Sequence, residues 1–257
     1  MGAEQGYLIR FFDEEWHARK FVDGEVRLGR VGAYAKMENG GRGDKFEGVS
    51  SIIRPHDSTL SLTPSDTNTP YVFTRENGFL EAYLTPQRNL SSYILCMSFV
   101  PVTTPTELRD GMAKAILSLK LDTTPFPDGK ATIEAYAVSV GAGWTNFLQA
   151  LSIGAKVAKG HLVGSRPVEY GNYANSGKSH VNLDCFSKDV RFKDQREVRC
   201  QFEFPGIRED SHSITVGNLK SSISALRRLK LNLTIGGKSQ DGKTQLSVYT
   251  DVINLSI

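Results

Sequence analysis

The chain has 257 residues, of which 39% are hydrophobic, and its 31 Lys and Arg nearly balance 28 Asp and Glu. This composition is typical of a globular protein with a full core, and a net charge of +3 gives no bulk signal for nucleic acid. No apolar run approaches the roughly 18 residues of a membrane span, and the N-terminus lacks a secretory signal, so we expect a cytoplasmic protein that does not enter a membrane.

The cysteines and histidines give no sign of a disulfide framework or a metal site. Cys96, Cys185 and Cys200 are odd in number, lack CxxC spacing and lie among apolar residues. This pattern favours reduced thiols in the core of a cytoplasmic protein. The 5 histidines are scattered and lack the spacing of zinc ligands, so we do not expect a zinc site.

The N-terminal pattern predicts two strands on either side of a helix. An apolar run at Gly6–Phe12 is typical of a buried strand. Asp13 can cap a helix over 14–22, which Gly24 would end. Loosely alternating apolar and basic residues then predict a strand over 25–34 with one exposed face.

The next part of the chain is dominated by turn-forming residues. Residues 50–70 are rich in Ser, Thr, Asp, Asn and Pro, which predicts loop or short hairpins. Asn77 followed by Gly78 is a strong hairpin signal, so we expect 71–73 and 79–84 to pair around it.

A central strand and a well-capped helix follow. Residues 92–100 form the most apolar run of the chain and predict a buried central strand. Thr104 matches the N-cap of a capping box, with Pro105 at the first helical position and Glu107 at the third. An apolar stripe over 108–119 continues the helix.

The remaining chain is mostly strand-like. Residues 196–204 form its best amphipathic strand, with Val198, Cys200 and Phe202 on one face and charged residues on the other. The other predicted elements are a strand at 131–140, a helix at 144–157, strands at 167–173, 181–186 and 214–216, a short helix at 219–226, and strands at 229–235 and 245–257. No repeat or linker is visible, so we expect one α+β domain over 1–257, with mostly antiparallel sheet and with 230–257 as an added C-terminal hairpin.

The segment RGDKFEG, from Arg42 to Gly48, concentrates charged groups between glycines. Flexible glycines let the backbone bend tightly, so that Asp44 and Glu47 can point into one small volume. Two neighbouring carboxylates repel each other unless they bind a cation, a sugar hydroxyl or a guanidinium. The alternative is that both acids only brace the loop through Arg42 or backbone amides.

Two strand residues are further candidates. Arg10 interrupts an apolar strand, and a buried arginine must be paired or hold an anion because its desolvation is costly. Glu197 lies within the amphipathic strand and faces either water or a cleft. The simpler readings are that Arg10 lies on the exposed face and that Glu197 forms a cross-strand ion pair.

Several short motifs occur in a characteristic order. An N-terminal strand and helix lead to Gly24-x-Val26 and then to RGDKFEG at 42–48. Much later come a K…F…QxExR strand, with Lys188, Phe192, Gln195, Glu197 and Arg199, and an IxxGxL element at 214–219. In these pieces, between about residues 7 and 226, the chain resembles a broad group of uncharacterised bacterial and prophage proteins. It departs from the commoner form at Lys45, where proline is usual, and at Val198, where an aromatic residue is usual.

The strand–helix–strand opening and the late strand glutamate are also similar to the ADP-ribosyltransferase fold. This resemblance implies that Arg10 holds NAD, the substrate, and that Glu197 contacts the nicotinamide ribose as an oxocarbenium-like centre develops, where charge stabilisation is the main catalytic term. We take Glu197, Asp44 and Glu47 as candidate catalytic residues, and Arg10, Arg42 and Arg199 as candidate ligand-binding residues. Positions 10, 44, 47 and 197 are expected to converge around one hollow.

Three functions compete. The first is an ADP-ribosyltransferase-like enzyme that consumes NAD and acts as a toxin or phage-defence effector on a macromolecular target. The second is a non-catalytic binding module of a prophage or defence system, in which Arg227, Arg228 and Lys230 form a contact patch unless they are a solvated helix end. The third is a nuclease in which Asp44, Glu47 and Glu197, with Lys188, hold Mg²⁺.

Overall fold

The computed structural model describes residues 6–36, 47–54, 59–62, 71–74, 82–102, 104–121, 124–141, 143–173, 180–217, 219–238 and 244–257. These residues form a mixed α+β fold with mostly antiparallel sheet, which confirms the predicted class. Among them, no helix combines the length and the apolar character that crossing a bilayer requires.

The N-terminal elements are β1 (Gly6–Phe12), α1 (Glu15–Val22), β2 (Glu25–Arg30) and α2 (Val31–Ala35). The first strand and helix are close to the prediction, but the strand predicted over 25–34 is wrong beyond Arg30. Its second half has the sequence VGAYA, and Gly and Ala disfavour strands, so this part forms a short helix instead.

Four short strands follow: β3 (Ser51–Ile53), β4 (Thr59–Leu62), β5 (Tyr71–Thr74) and β6 (Ala82–Leu84). The hairpin predicted between 71–73 and 79–84 is wrong, because β5 pairs with β4 and β6 pairs with β3. Asn77 and Gly78 lie outside the described residues. The strands β3 and β4 are only three and four residues long, too short for a period-2 pattern to identify them in a polar segment.

The middle of the chain contains α3 (Gln87–Ser91), β7 (Tyr93–Pro101), α4 (Pro105–Lys120), β8 (Lys130–Val140) and α5 (Trp144–Val157). The strands β7 and β8 and the helices α4 and α5 confirm the prediction. The capping box is present: the Glu107 amide donates to Thr104 Oγ1 at 3.3 Å, and the Thr104 amide donates to Glu107 Oε2 at 2.9 Å.

The C-terminal elements are β9 (His161–Pro167), β10 (Glu169–Gly171), β11 (His180–Asn182), β12 (Ser187–Asp189), a 3₁₀ helix (Val190–Gln195), β13 (Glu197–Glu203), β14 (Ser211–Thr215), β15 (Ile223–Lys238) and β16 (Thr244–Leu255). The helix predicted over 219–226 is wrong, because Ile223 already begins a strand. A register shift between Ile223 and Ala225 lets Ile223 and Leu226 both face the core, and this three-residue spacing mimics a helical period.

One large sheet organises the described residues. Its nine strands include the path β14-β2-β7-β1-β8-β15-β16, while β13 pairs with both β7 and β9. Because β15 pairs with β8 along most of its length, the C-terminal hairpin belongs to this sheet.

The two faces of the sheet carry separate cores. Phe21 of α1 and Phe147 of α5 pack on one face, where they join Phe202 of β13. Ile116 of α4 packs on the other face, against Ile9 and neighbouring apolar residues of β8 and β15. Successive residues of a strand face opposite sides, so β13 directs Val198, Cys200 and Phe202 into the first core and turns its charged side chains towards the α4 side.

Candidate functional site

The large sheet forks at β7, and a cavity lies at the fork. On one side of β7, β1 pairs with Ser98–Pro101 and β2 pairs with Tyr93 and Ile94. The opposite side pairs with β13 from Tyr93 to Ser98. The strands β1 and β2 therefore diverge from the same side of β7, beside residues 95–97. A partly open cavity of about 190 Å³ occupies this region.

The cavity brings together residues that are distant in sequence. Arg10, Glu47, Glu197 and Arg199 all line it, from β1, the turn before β3, and β13. Of the positions expected to converge, 10, 47 and 197 do so. Asp44 and Arg42 lie outside the described residues.

Arg199 links two buried carboxylates. Its Nη1 and Nη2 donate to the two carboxylate oxygens of Glu47 at 2.6 and 3.0 Å, and its Nε donates to Glu197 Oε1 at 2.7 Å. A further hydrogen bond runs from Nη1 to the carbonyl oxygen of Cys185. The Arg199 and Glu47 side chains are 2% and 3% exposed, so this is a desolvated, bidentate pair.

A second cation completes the network on the other side of Glu197. Lys188 Nζ donates to Glu197 Oε2 at 3.0 Å and to Gln195 Oε1 at 2.8 Å. The backbone amide of Glu197 donates to the Tyr170 hydroxyl at 2.7 Å, which fixes the start of β13. Two cations and two carboxylates thus balance within the buried network. Glu197 does form ion pairs, but they differ from the predicted cross-strand pair. Its partners are Arg199 on its own strand and Lys188 on β12, and its side chain is buried.

The charge of Glu197 is held by its partners. Burial alone would raise the pKa of this carboxyl, but the positive charges of Arg199 and Lys188, with their hydrogen bonds, hold it well below its usual range. The same pairing keeps the pKa of Arg199 above its usual range against the opposing effect of burial. Glu197 is therefore a fixed negative charge near neutral pH and cannot supply a proton as a general acid.

Arg10 is the cation at the cavity that has no acidic partner among the described residues. This half-buried side chain donates from Nη1 to the carbonyl oxygen of Cys96 at 2.6 Å, across the fork, and its guanidinium lies 5.9 Å from the centroid of the Phe12 ring. Neither contact neutralises its charge. With the network balanced, Arg10 leaves one uncompensated positive charge within the described lining.

Cys96 and Tyr34 line the cavity and were not predicted as site residues. Burial, and then the nearby Glu197 carboxylate, raise the pKa of the Cys96 thiol well above its ordinary value. Burial raises the pKa of Tyr34 to about 12. Both groups stay protonated near neutral pH and can act as neutral hydrogen-bonding groups. The sequence predicts Cys96 only as a core thiol and places Tyr34 in a predicted strand, so neither residue is marked as part of a site.

The described residues do not favour the Mg²⁺ hypothesis. Both Glu47 and Glu197 are saturated by cationic side chains, which occupy the positions that a metal ion would take. Within the described part of the chain, no group of three or more His, Cys, Asp and Glu could hold a metal ion.

The basic residues proposed as a contact patch lie on β15, so their reading as a helix end is wrong. Neighbours on a strand face opposite sides of a sheet, so Arg227 and Arg228 do not form one surface. Arg228 Nε donates to Glu134 at 2.7 Å, and Arg227 Nε donates to Asn254 at 3.0 Å.

Comparison of the chain with models of protein families, with curated proteins and with solved structures gives no match in any of the three.

Proposed function

We propose that the cavity at the fork binds a ligand with an anionic or strongly polar group, and that the chain is an ADP-ribosyltransferase-like enzyme that consumes NAD. The observation that supports this best is that Arg10, a cation without an acidic partner among the described residues, and Glu197, a fixed carboxylate, line the same cavity. Arginine suits phosphate and carboxylate because its fork of donors matches two oxygens at once.

Glu197 would act through its charge. When the bond between nicotinamide and ribose breaks, the electrons leave with nicotinamide and positive charge develops on the ribose. A carboxylate already ionised and oriented by Arg199 and Lys188 stabilises that charge without reorganising. The positive charges of Arg199 and Lys188 reduce this stabilisation. We therefore assign Glu197 an electrostatic role and no proton transfer.

The size of the cavity supports partial insertion of the substrate. Its volume of about 190 Å³ is below the roughly 300–1,000 Å³ of pockets that enclose drug-sized ligands. Apolar residues, including Ile9, Ile94 and Ile116, form part of the wall. One end of a dinucleotide, with a flat ring, suits this space, while the rest of the molecule would lie outside it.

NAD consumption is the direct test. The protein is incubated with NAD, with and without a bacterial lysate as the source of acceptor, and free nicotinamide is measured by chromatography. We expect release by the wild type and a loss of about tenfold or more in Arg10→Gln, because the anionic group loses its charged partner. Glu197→Gln should lower the rate at least as much.

The matched control is Arg27→Gln, which changes an exposed arginine on the neighbouring strand β2. It should leave nicotinamide release unchanged, and circular dichroism should show that all variants are folded. Wild-type protein that neither binds nor consumes NAD in either condition would end this proposal.

A non-catalytic binding module in the cytoplasm is the second candidate. It is favoured because Glu47 and Glu197 are both held in ion pairs within the buried network. Among the described residues of the lining, Asp13 is the other carboxylate. Asp13 itself pairs with Lys120 at 2.5 Å. This candidate predicts that NAD, or a smaller anion, stabilises the protein against heat through Arg10, with no turnover.

A further inference from the structure

Gln195 stands between two hollows of the molecule. It lines the cavity at the fork, and it also lines a larger groove of about 1210 Å³ between α4 and the 3₁₀ helix. The residue is only 2% exposed, and it is the last residue of that helix. Gln195 is the described residue that the two linings have in common.

The Gln195 amide has a defined orientation and a spare donor. An ammonium group only donates hydrogen bonds, so the contact from Lys188 Nζ identifies the Gln195 atom at 2.8 Å as the oxygen. The NH₂ group has no hydrogen-bond partner among the described residues. Among the described residues, the fully enclosed side-chain nitrogen and oxygen atoms all have a hydrogen-bond partner except His212 Nε2. The unpartnered NH₂ group of Gln195 is therefore not fully enclosed, and it belongs to a residue that lines both hollows.

The backbone beside Gln195 is unusual in a way that supports a functional role. Arg196 has φ of 43°, in the left-handed region that non-glycine residues rarely adopt. Its carbonyl oxygen accepts a hydrogen bond from the Phe99 amide at 2.8 Å, which ties this turn to β7. The turn ends the 3₁₀ helix at Gln195 and begins β13 at Glu197, so it holds both side chains at the cavity.

The groove offers cations for an anionic group. Lys114 of α4 and Arg196 are exposed, line the groove, and have no acidic partner among the described residues. Two of the three acids of the groove are engaged, since Glu107 caps α4 and Asp110 pairs with a neighbouring arginine at 3.1 Å. Glu107 keeps its negative charge in the cap and Asp194 is the remaining acid, so Lys114 and Arg196 are two cations that an anionic group could pair with in a groove whose described charges nearly balance.

We propose that Gln195 is a ligand-binding and specificity-determining residue whose NH₂ group donates to an acceptor oxygen of a ligand that spans cavity and groove. The ligand class is a dinucleotide, with one ring end in the cavity, one phosphate at Arg10 and the other beside Lys114 and Arg196 in the groove. This inference rests on the proposed use of NAD and specifies how NAD is held.

The test is the affinity of the intact chain for NAD, ADP-ribose and nicotinamide, measured by calorimetry. Gln195→Glu keeps an acceptor for Lys188, replaces the donor with an oxygen and adds a negative charge that repels an acceptor oxygen of the ligand. We expect this variant to bind NAD at least about tenfold more weakly, as the loss of one hydrogen bond to a ligand predicts. Gln201→Glu is the matched control, because it makes the same chemical change at a residue that lines neither hollow. Gln201 lies on the same face of β13 as Glu197, and its Nε2 donates to Ser92 Oγ at 3.2 Å.

The groove is tested by exposed residues whose replacement leaves the core intact. Lys114→Gln and Arg196→Asn should weaken the binding of NAD and of ADP-ribose and leave the affinity for nicotinamide unchanged. Asn is chosen at position 196 because it tolerates a positive φ. If the wild type binds NAD and Gln195→Glu stays within about twofold of it, this inference is overturned while the proposed function stands. If Gln195→Glu does not fold, an unchanged NAD affinity in both groove variants overturns it. If the wild type binds none of the three compounds, both proposals fall.

Discussion

The Arg199→Met variant is expected to lose about 3–5 kcal/mol of unfolding free energy, because it leaves buried carboxylates without their shared cation. Arg199 bonds both oxygens of Glu47, which would keep no cation among its described partners. Glu197 would keep Lys188. Chemical denaturation at pH 7, monitored by circular dichroism, gives the measurement. Arg27→Met, on an exposed position of β2, is the control and should change stability by less than about 0.5 kcal/mol.

A double variant separates the uncompensated charge from the lost packing. Glu47→Met together with Arg199→Met removes the pair as a unit and leaves Glu197 bonded to Lys188. Because apolar replacement of a whole buried pair is often nearly neutral, the double variant should be at least about 1 kcal/mol more stable than Arg199→Met alone. Additive losses from the two single variants would show that Glu47 and Arg199 are not energetically coupled.

The strand β13 shows how far the sequence determines this site. Its period-2 pattern correctly separates Val198, Cys200 and Phe202 from Glu197 and Arg199. The pattern cannot say whether the charged face meets water. Here residue 47 and segment 183–195 cover the charged face. They are held there by two short pairings, β10 with β12 and β3 with β11, of three residues each. Burial of a charged face depends on such tertiary contacts, which local periodicity does not encode.

The fork itself depends on the same kind of information. The sequence predicts β1, β7 and β13 as strands, but no local pattern states that β1 and β2 diverge from one side of β7. The sequence marks Gln195 only as a member of the QxExR motif, and it gives no signal for Tyr34, which lies in a short helix where a strand is predicted. Arg10 and Glu197 could be singled out because a charge within a strand requires a partner wherever the fold buries it.

The pH dependence of stability provides a second large effect, centred on Glu197. Because the pKa of this carboxyl is lower in the folded protein than in the unfolded chain, its contribution is fully present above the unfolded value of about 4.3. As the pH falls from about 5, the unfolded chain takes up the proton first, and stability is lost progressively. Each unit of pKa difference between the folded and unfolded states is worth about 1.4 kcal/mol. We therefore expect the unfolding free energy to fall by more than that amount between about pH 5 and about pH 2.

Glu197→Gln isolates this contribution, because it removes the titrating group and nearly preserves its shape. At pH 7 the variant should be less stable than the wild type, since Lys188 and Arg199 each lose a charged partner. As the pH falls from about 5 to about 2, the difference should narrow, because the wild-type carboxylate loses the same advantage by protonation. Glu169→Gln, at a carboxylate 76% exposed, is the control and should keep a nearly constant difference. A gap between Glu197→Gln and wild type that does not change over this range would mean that Glu197 is not held ionised by its two cations. Its proposed electrostatic role in NAD cleavage would then lose its physical basis.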